Sequence, residues 1–164
     1  MAQIVVGQTV GVTGSAAITV KESMQGASLY LDSVNAQGGV GGQKIELVVL
    51  DDKFDTKLTL ENARTLIEKH GAIALFMTRG TPHTQGIVPL LDEAGVVLVG
   101  PSTGAMALHK PVSRHVFNVR APYQLEVEKA ITHLNTLGVE RIGVIHVDDS
   151  FGADALGGAL NGFK

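Results

Sequence analysis

The stretch "AIALFMTRGTPHTQGIVPLLDEAGVVLVGPST", residues 72–103, carries an apolar run, a helical pattern and a second apolar run. Ala72–Met77 is an almost unbroken apolar series, the signature of a strand buried on both faces. Pro82–Glu93 reads as a helix with Ile87, Leu90, Leu91 and Ala94 turned inward, and Val96–Val99 as the next strand. Strand, helix and strand in this order make a crossover between parallel neighbours, which packs right-handed. Polar residues fill the first junction: Thr78, Thr81 and Thr84 bring hydroxyls, and Pro82 follows Thr81. Thr81 reads as the N-cap and Pro82 as the first helical residue. The helix then begins at the sheet edge with free amides and a partial positive charge, a setting that suits a carboxylate or phosphate. The Thr81 hydroxyl either caps the helix or donates to that anion.

Working outward, the alternation continues on both sides. Ile4–Val6 is a short strand, and Val20, Met24, Ala27, Leu31 and Val34 form one face of a long helix that "GGVGG" (38–42) stops. Ile45–Leu50 is a second strand. Asp55 and Thr56 cap a helix lined by Leu60, Ala63 and Ile67. After a loop from Gly100 to about Arg114, Val116–Val119 is a fifth strand. Glu126–Leu137 is a helix with Val127, Ala130, Ile131 and Leu134 on one face. Ile142–Val147 is a sixth strand, and a last helix, about 152–163, buries Leu156, Leu160 and Phe163. Apolar runs alternating with helices give an α/β fold, an open doubly wound parallel sheet. Such sheets bind small molecules at the carboxyl ends of their strands. The loops to watch are therefore 7–15, 51–56, 77–82, 100–104, 120–124 and 148–152.

Composition narrows the partners. The 164 residues hold 13 Lys and Arg against 16 Asp and Glu, a formal net charge of -3, with no basic stripe of the kind a nucleic-acid surface needs. No apolar run reaches the roughly 20 residues of a membrane-spanning helix. With no cysteine, disulfide and thiolate chemistry are excluded. "MAQIVVGQTV" lacks the basic and apolar regions of a leader, so Met1 is either a natural start or stands where a leader has been removed.

The polar loops offer binding groups rather than a reaction centre. "GPSTGA" (100–105) presents Ser102 and Thr103 beside the Thr81 loop. "GQTVGVTGS" (7–15) is glycine-rich but is neither G-x-G-x-x-G nor a Walker A loop, and serves to let backbone approach a ligand. Asp51 and Asp52 end the second strand, where capping and solvation outweigh a ribose contact. His109 and His115 show no metal-ligand spacing. His83 reads as exposed in a first helical turn, and His146 as a core residue. No nucleophile elbow occurs. The expectation is no catalytic residue, no metal and no cofactor.

At this level the chain resembles the type I periplasmic solute-binding proteins, the leucine/isoleucine/valine-binding proteins of ABC importers above all. The resemblance runs from Gln3 to Lys164 and rests on "N-x-x-G-G-V-x-G", a strand ending in "DD", "PLLDEAGVVLVGPST", "VFNVRAPY" and "RIGVIHVDDSFG" in this order. It implies a two-lobed receptor that closes by a hinge on a solute in the cleft. Residues 1–120 would be the N-terminal ligand-binding lobe, and 121–164 the start of a truncated second lobe. By position, the resemblance implies that Thr81 binds the ligand carboxylate through hydroxyl and amide and that the Ser102 carbonyl faces an ammonium. A threonine of the amino-acid binders is Gly104 here, so Thr103 would have to serve instead. Phe151 would cover the ligand from the second lobe, Thr19 would touch its side chain, and Tyr123 would lie near the crossover. A cysteine pair of some members corresponds to Phe54 and Gly80, which places Gly80 at the site rim.

The expected function is thus an extracytoplasmic receptor that captures a small carboxylate, an amino acid or an aromatic or aliphatic acid. It would deliver the solute to the membrane permease of an ABC importer, with no turnover and a periplasmic location. The alternatives are a nucleotide-dependent α/β enzyme and a cytoplasmic ligand-sensing domain of the same fold. A free edge at 142–147 and the apolar last helix further suggest a homodimer.

Overall fold

The computed structural model describes residues 3–164. Five parallel strands form one sheet in the order β2-β1-β3-β4-β5: β1 Gln3–Val10, β2 Lys44–Asp51, β3 Ala74–Phe76, β4 Val97–Val99 and β5 Val116–Phe117. The helices are α1 Ala17–Ala36, α2 Thr56–Glu68, α3 Thr81–Ala94, α4 Tyr123–Thr136 and α5 Ser150–Gly162. The chain starts at β1 and winds first to β2, then back across to β3, so the direction of winding reverses between β1 and β3. Parallel sheets of this kind bind ligands outside that reversal.

Both sheet faces are covered. On one, Ala63 and Leu66 of α2 and Ile87, Leu90 and Leu91 of α3 pack with Leu75, Leu98 and Val116, and with Val48 and Leu50 of β2. On the other, Val20 and Met24 of α1 pack against Val10 and Val49. Val49 and its neighbours Val48 and Leu50 point to opposite faces, the two-residue period of a strand. Leu66, Leu75, Ile87, Leu91 and Leu98 are fully buried. Each contributes roughly 1.5–3 kcal/mol by leaving water.

Some sequence expectations shift. The inward residues of α2 are Thr59, Ala63 and Leu66, while Leu60 is exposed, because the helix starts at Thr56 with Asp55 as its cap and this phase turns Leu60 outward. Ala94, in the last turn of α3, faces solvent beside the left-handed Gly95 that ends the helix. Residues 142–147 form no strand. A strand needs a partner backbone, and none of the described strands lies beside this segment. Ile145, Val144 and Val147 are accordingly exposed. The last helix buries Gly152, Gly158 and Ala159 rather than Leu160 and Phe163, which are exposed. It lies so close to α4 that a Cβ on Gly158 would stand 2.4 Å from the Gln124 carbonyl oxygen, a separation that glycine alone permits.

Candidate functional site

The carboxyl ends of β2 to β5 open on a cleft of about 330 Å³. Arg79, Gly80, Thr81 and His83 line it from the β3–α3 junction, and Phe54 and Ser102 from the ends of β2 and β4. Arg120 and Tyr123 follow β5, and Asp149 and Phe151 stand at the start of α5. All the loops nominated from sequence contribute except 7–15. That loop instead packs on the neighbouring 51–55 turn: Thr13 donates from its hydroxyl to Asp51 at 2.6 Å. A larger depression of about 850 Å³ runs along α1 and shares no residue with the cleft.

The β3–α3 junction differs from the expectation by one residue. Gly80, not Thr81, is the N-cap, and Thr81 and Pro82 begin the helix. Gly80 adopts φ 93 and ψ 138, open to glycine and strained for other residues. Its carbonyl accepts from the Thr84 amide at 3.0 Å, which starts the helical ladder one position early. The Thr81 hydroxyl therefore makes no cap; it pairs with the Thr103 hydroxyl at 2.7 Å. Thr103 Oγ1 also accepts the Ala105 amide at 3.3 Å. With Thr103 donating to Thr81, the Thr81 hydrogen is left free to turn to a ligand. Thr78 and Thr84, both buried, satisfy each other at 3.0 Å. Their loop is tied to the next by the Ser102 amide on the Thr78 carbonyl at 2.7 Å.

His83 is buried, 4% exposed, rather than solvent-facing. The Phe54 ring stacks on its imidazole with centroids 4.2 Å apart and planes 27° from parallel, and this ring removes the histidine from water. Phe54 is held there by Asp52. That carboxylate is fully buried and accepts from the Phe54 amide at 2.9 Å, the Thr9 hydroxyl at 3.2 Å and the Thr59 hydroxyl at 3.0 Å. Phe54 sits at φ 59, a left-handed backbone that a non-glycine residue keeps only where its surroundings impose it. Neither ring nitrogen of His83 has a hydrogen-bond partner among the described residues.

The opposite wall is aromatic as well. Tyr123 and Phe151 meet edge to face at 5.2 Å, and the Arg120 guanidinium lies 4.8 Å from the Tyr123 ring centre. Arg120 also pairs with Glu126 at 3.1 Å. The Tyr123 amide donates to the Gly104 carbonyl at 2.7 Å, and Asp154 of α5 accepts from the Met106 amide at 3.1 Å and from Gln124 at 2.9 Å. These bonds fix the α4–α5 unit against the β4 loop. Asp149 caps α5, accepting the Gly152 amide at 2.9 Å. Two carboxylates near β2 are held below the usual range: Asp51 chiefly by the Thr13 hydroxyl bond, and Asp55 by the Leu58 and Lys57 amides it caps.

Of the residues nominated from sequence, Thr81, Gly80, Ser102, Tyr123 and Phe151 converge on the cleft. Thr103 lies beneath it, fully buried, as the partner of Thr81. Thr19 is exposed on α1, donates to the Ala16 carbonyl, and is not brought to the cleft. Sequence reasoning did not single out Arg79, His83 or Arg120 as site residues. Arg79 and Arg120 stand within the strand-end loops already nominated, and His83 is one residue beyond. No group of histidine and carboxylate side chains able to hold a metal occurs among the described residues.

Residues 3–164 match the model of a family described as periplasmic binding proteins. The chain belongs to that family. It is 30% identical over 98% of its length to an amino acid binding protein of Pseudomonas aeruginosa, of which it covers 44%. Among solved structures it is similar to a substrate-binding periplasmic protein from Ralstonia solanacearum, with TM-score 0.90 and 37% identity over 96% of this chain and 44% of that one. It is also similar to an extracellular ligand-binding receptor from Verminephrobacter eiseniae, with TM-score 0.89 and 32% identity over 97% of this chain and 45% of that one. The fold is that of a type I periplasmic binding protein lobe, and the chain spans under half the length of these relatives.

Proposed function

We propose that this periplasmic binding protein is an extracytoplasmic solute receptor that holds a small carboxylate against the start of α3. It would pass that solute to the membrane permease of an ABC importer. The observation that carries this reading is the β3–α3 junction: Thr81 begins a helix at the cleft floor, its amide precedes a proline that has none, and its hydroxyl is backed by Thr103. A carboxylate there meets N–H donors, the positive helix end and a hydroxyl, each stronger for a charged acceptor than for a neutral one. Ser102, Tyr123 and Phe151 border the same place. The reading includes residues 1–120 as one lobe and 121–164 as the beginning of a second, closing on the ligand by a hinge. It includes a periplasmic location and capture without turnover. Self-association through exposed Ile145 and Val147 belongs to it as well.

The test is a titration of the labelled chain with simple carboxylates, followed by amide NMR. Shifts concentrated at residues 79–84 and 102–105 are expected. Shifts with NAD or ATP and none with carboxylates would overturn the receptor reading in favour of a nucleotide site. Light scattering that shows a monomer at millimolar concentration would remove the self-association.

A further inference from the structure

Within the proposed carboxylate site, the cleft holds an unusual balance of charge. Among its lining residues Asp149 is the single carboxylate, and one of its oxygens is occupied by the Gly152 amide. On the other side stand Arg79, which makes no side-chain hydrogen bond or ion pair among the described residues, and the helix starts of α3 and α5. His83 adds an imidazole that is more than nine-tenths buried, with both nitrogens unpartnered among the described residues. An unpaired buried polar ring costs on the order of 1–3 kcal/mol, and a bound acid that meets it removes that cost.

Position 104, in the loop after β4, brings no side chain to the cleft. A Cβ at Gly104 would lie 2.3 Å from the Ala121 carbonyl oxygen and 3.1 Å from the Tyr123 amide nitrogen, so no side chain stands there without moving α4. Thr103, its neighbour, is buried and already bonded to Thr81. The walls, by contrast, are ring surfaces: Phe54 stacked on His83, and Tyr123 against Phe151.

We propose that the ligand is an aromatic carboxylic acid without an amino group. Its carboxylate sits at the start of α3 between Arg79 and the His83 imidazole, and its ring lies between the Phe54 and Tyr123–Phe151 walls. This inference rests on the carboxylate-site reading and gives that site its ligand class. Arg79 and His83 are specificity-determining residues: both reward a negative acceptor, while Asp149 in the lining and Asp55, within electrostatic reach of the imidazole, are engaged as the caps of α5 and α2. A ring fills the aromatic slot where an aliphatic chain makes fewer contacts.

Three solutes separate the possibilities: benzoate, L-phenylalanine, which adds an ammonium to a similar ring, and hexanoate, which keeps the acid and loses the ring. Each is titrated into the 15N-labelled chain, and amide and histidine ring shifts are followed. Benzoate is expected to bind at least tenfold more tightly than either competitor, to move the His83 ring nitrogens, and to lose at least tenfold in affinity in Arg79→Met with the rest of the spectrum unchanged. L-phenylalanine binding as tightly as benzoate overturns the exclusion of amino acids while leaving the carboxylate site standing. Hexanoate binding as tightly overturns the aromatic requirement alone. An unchanged benzoate affinity in Arg79→Met, or still His83 ring signals, overturns the roles given to those residues. No shift at residues 79–84 with any of the three defeats both this inference and the site on which it rests.

Discussion

Replacing Asp52 with alanine removes the support of one wall of the cleft. The Asp52 carboxylate is fully buried and receives the hydroxyls of Thr9 and Thr59 and the amide of Phe54. Hydrogen bonds to a charged group contribute roughly 1.5 kcal/mol each at the low end, so three set the loss at about 4.5 kcal/mol. This is a large share of the 5–15 kcal/mol that ordinarily holds a domain together. Asp52→Asn discriminates this account from a mere change of volume. Its amide oxygen still accepts the Phe54 amide. Its NH₂ group donates where the carboxylate accepted, and the single Thr59 hydroxyl hydrogen can turn wholly to the Asp55 carbonyl, 2.9 Å away. Asp52→Asn should therefore cost about 1–2 kcal/mol. Urea unfolding followed by circular dichroism measures both, with the denaturant slope checking that the unfolded states match. Phe54 fluorescence is too weak to report on the wall, but the ring protons of His83 lose the upfield shift that a stacked phenyl gives. A cost under 1 kcal/mol for Asp52→Ala, or equal costs for alanine and asparagine, would refute the reasoning.

Thr103→Val deletes the hydroxyl behind Thr81 with little change of volume, and should cost about 1 kcal/mol of stability and weaken carboxylate binding in the same NMR titration. Gly104→Ala forces a methyl toward the Ala121 carbonyl at 2.3 Å, with an expected loss of about 1–3 kcal/mol read as a lower thermal midpoint. Asp51, whose pKa lies below the ordinary 3.8, contributes stability that is present above 3.8 and is lost as pH falls through its lower folded value. Thr13→Val should move the Asp51 carboxyl titration, followed by carbon NMR, upward toward that ordinary value and shrink the acid-side loss.

The alternation of apolar runs and helical stripes determined the parallel α/β sheet, because a strand covered on both faces has no polar side to show. The same pattern pointed to the loops after β2 to β5 that face the cleft, since all parallel strands deliver their carboxyl ends to one edge; the loop after β1 packs aside on the 51–55 turn. Residues 72–103 carry both signals within a single βαβ unit. Tertiary structure decided the rest. Thr81 reads as a cap in isolation, but Gly80 at positive φ starts the helix earlier and frees the hydroxyl for Thr103, 22 residues away. His83 reads as exposed until Phe54, placed by a buried aspartate just past the end of β2, covers it. Residues 142–147 have the composition of a strand and remain unpaired, because a strand exists only where a second backbone accepts its hydrogen bonds. Local periodicity records which side chains avoid water; it holds no record of which distant group meets a given hydroxyl or ring, and at this cleft those meetings set the chemistry.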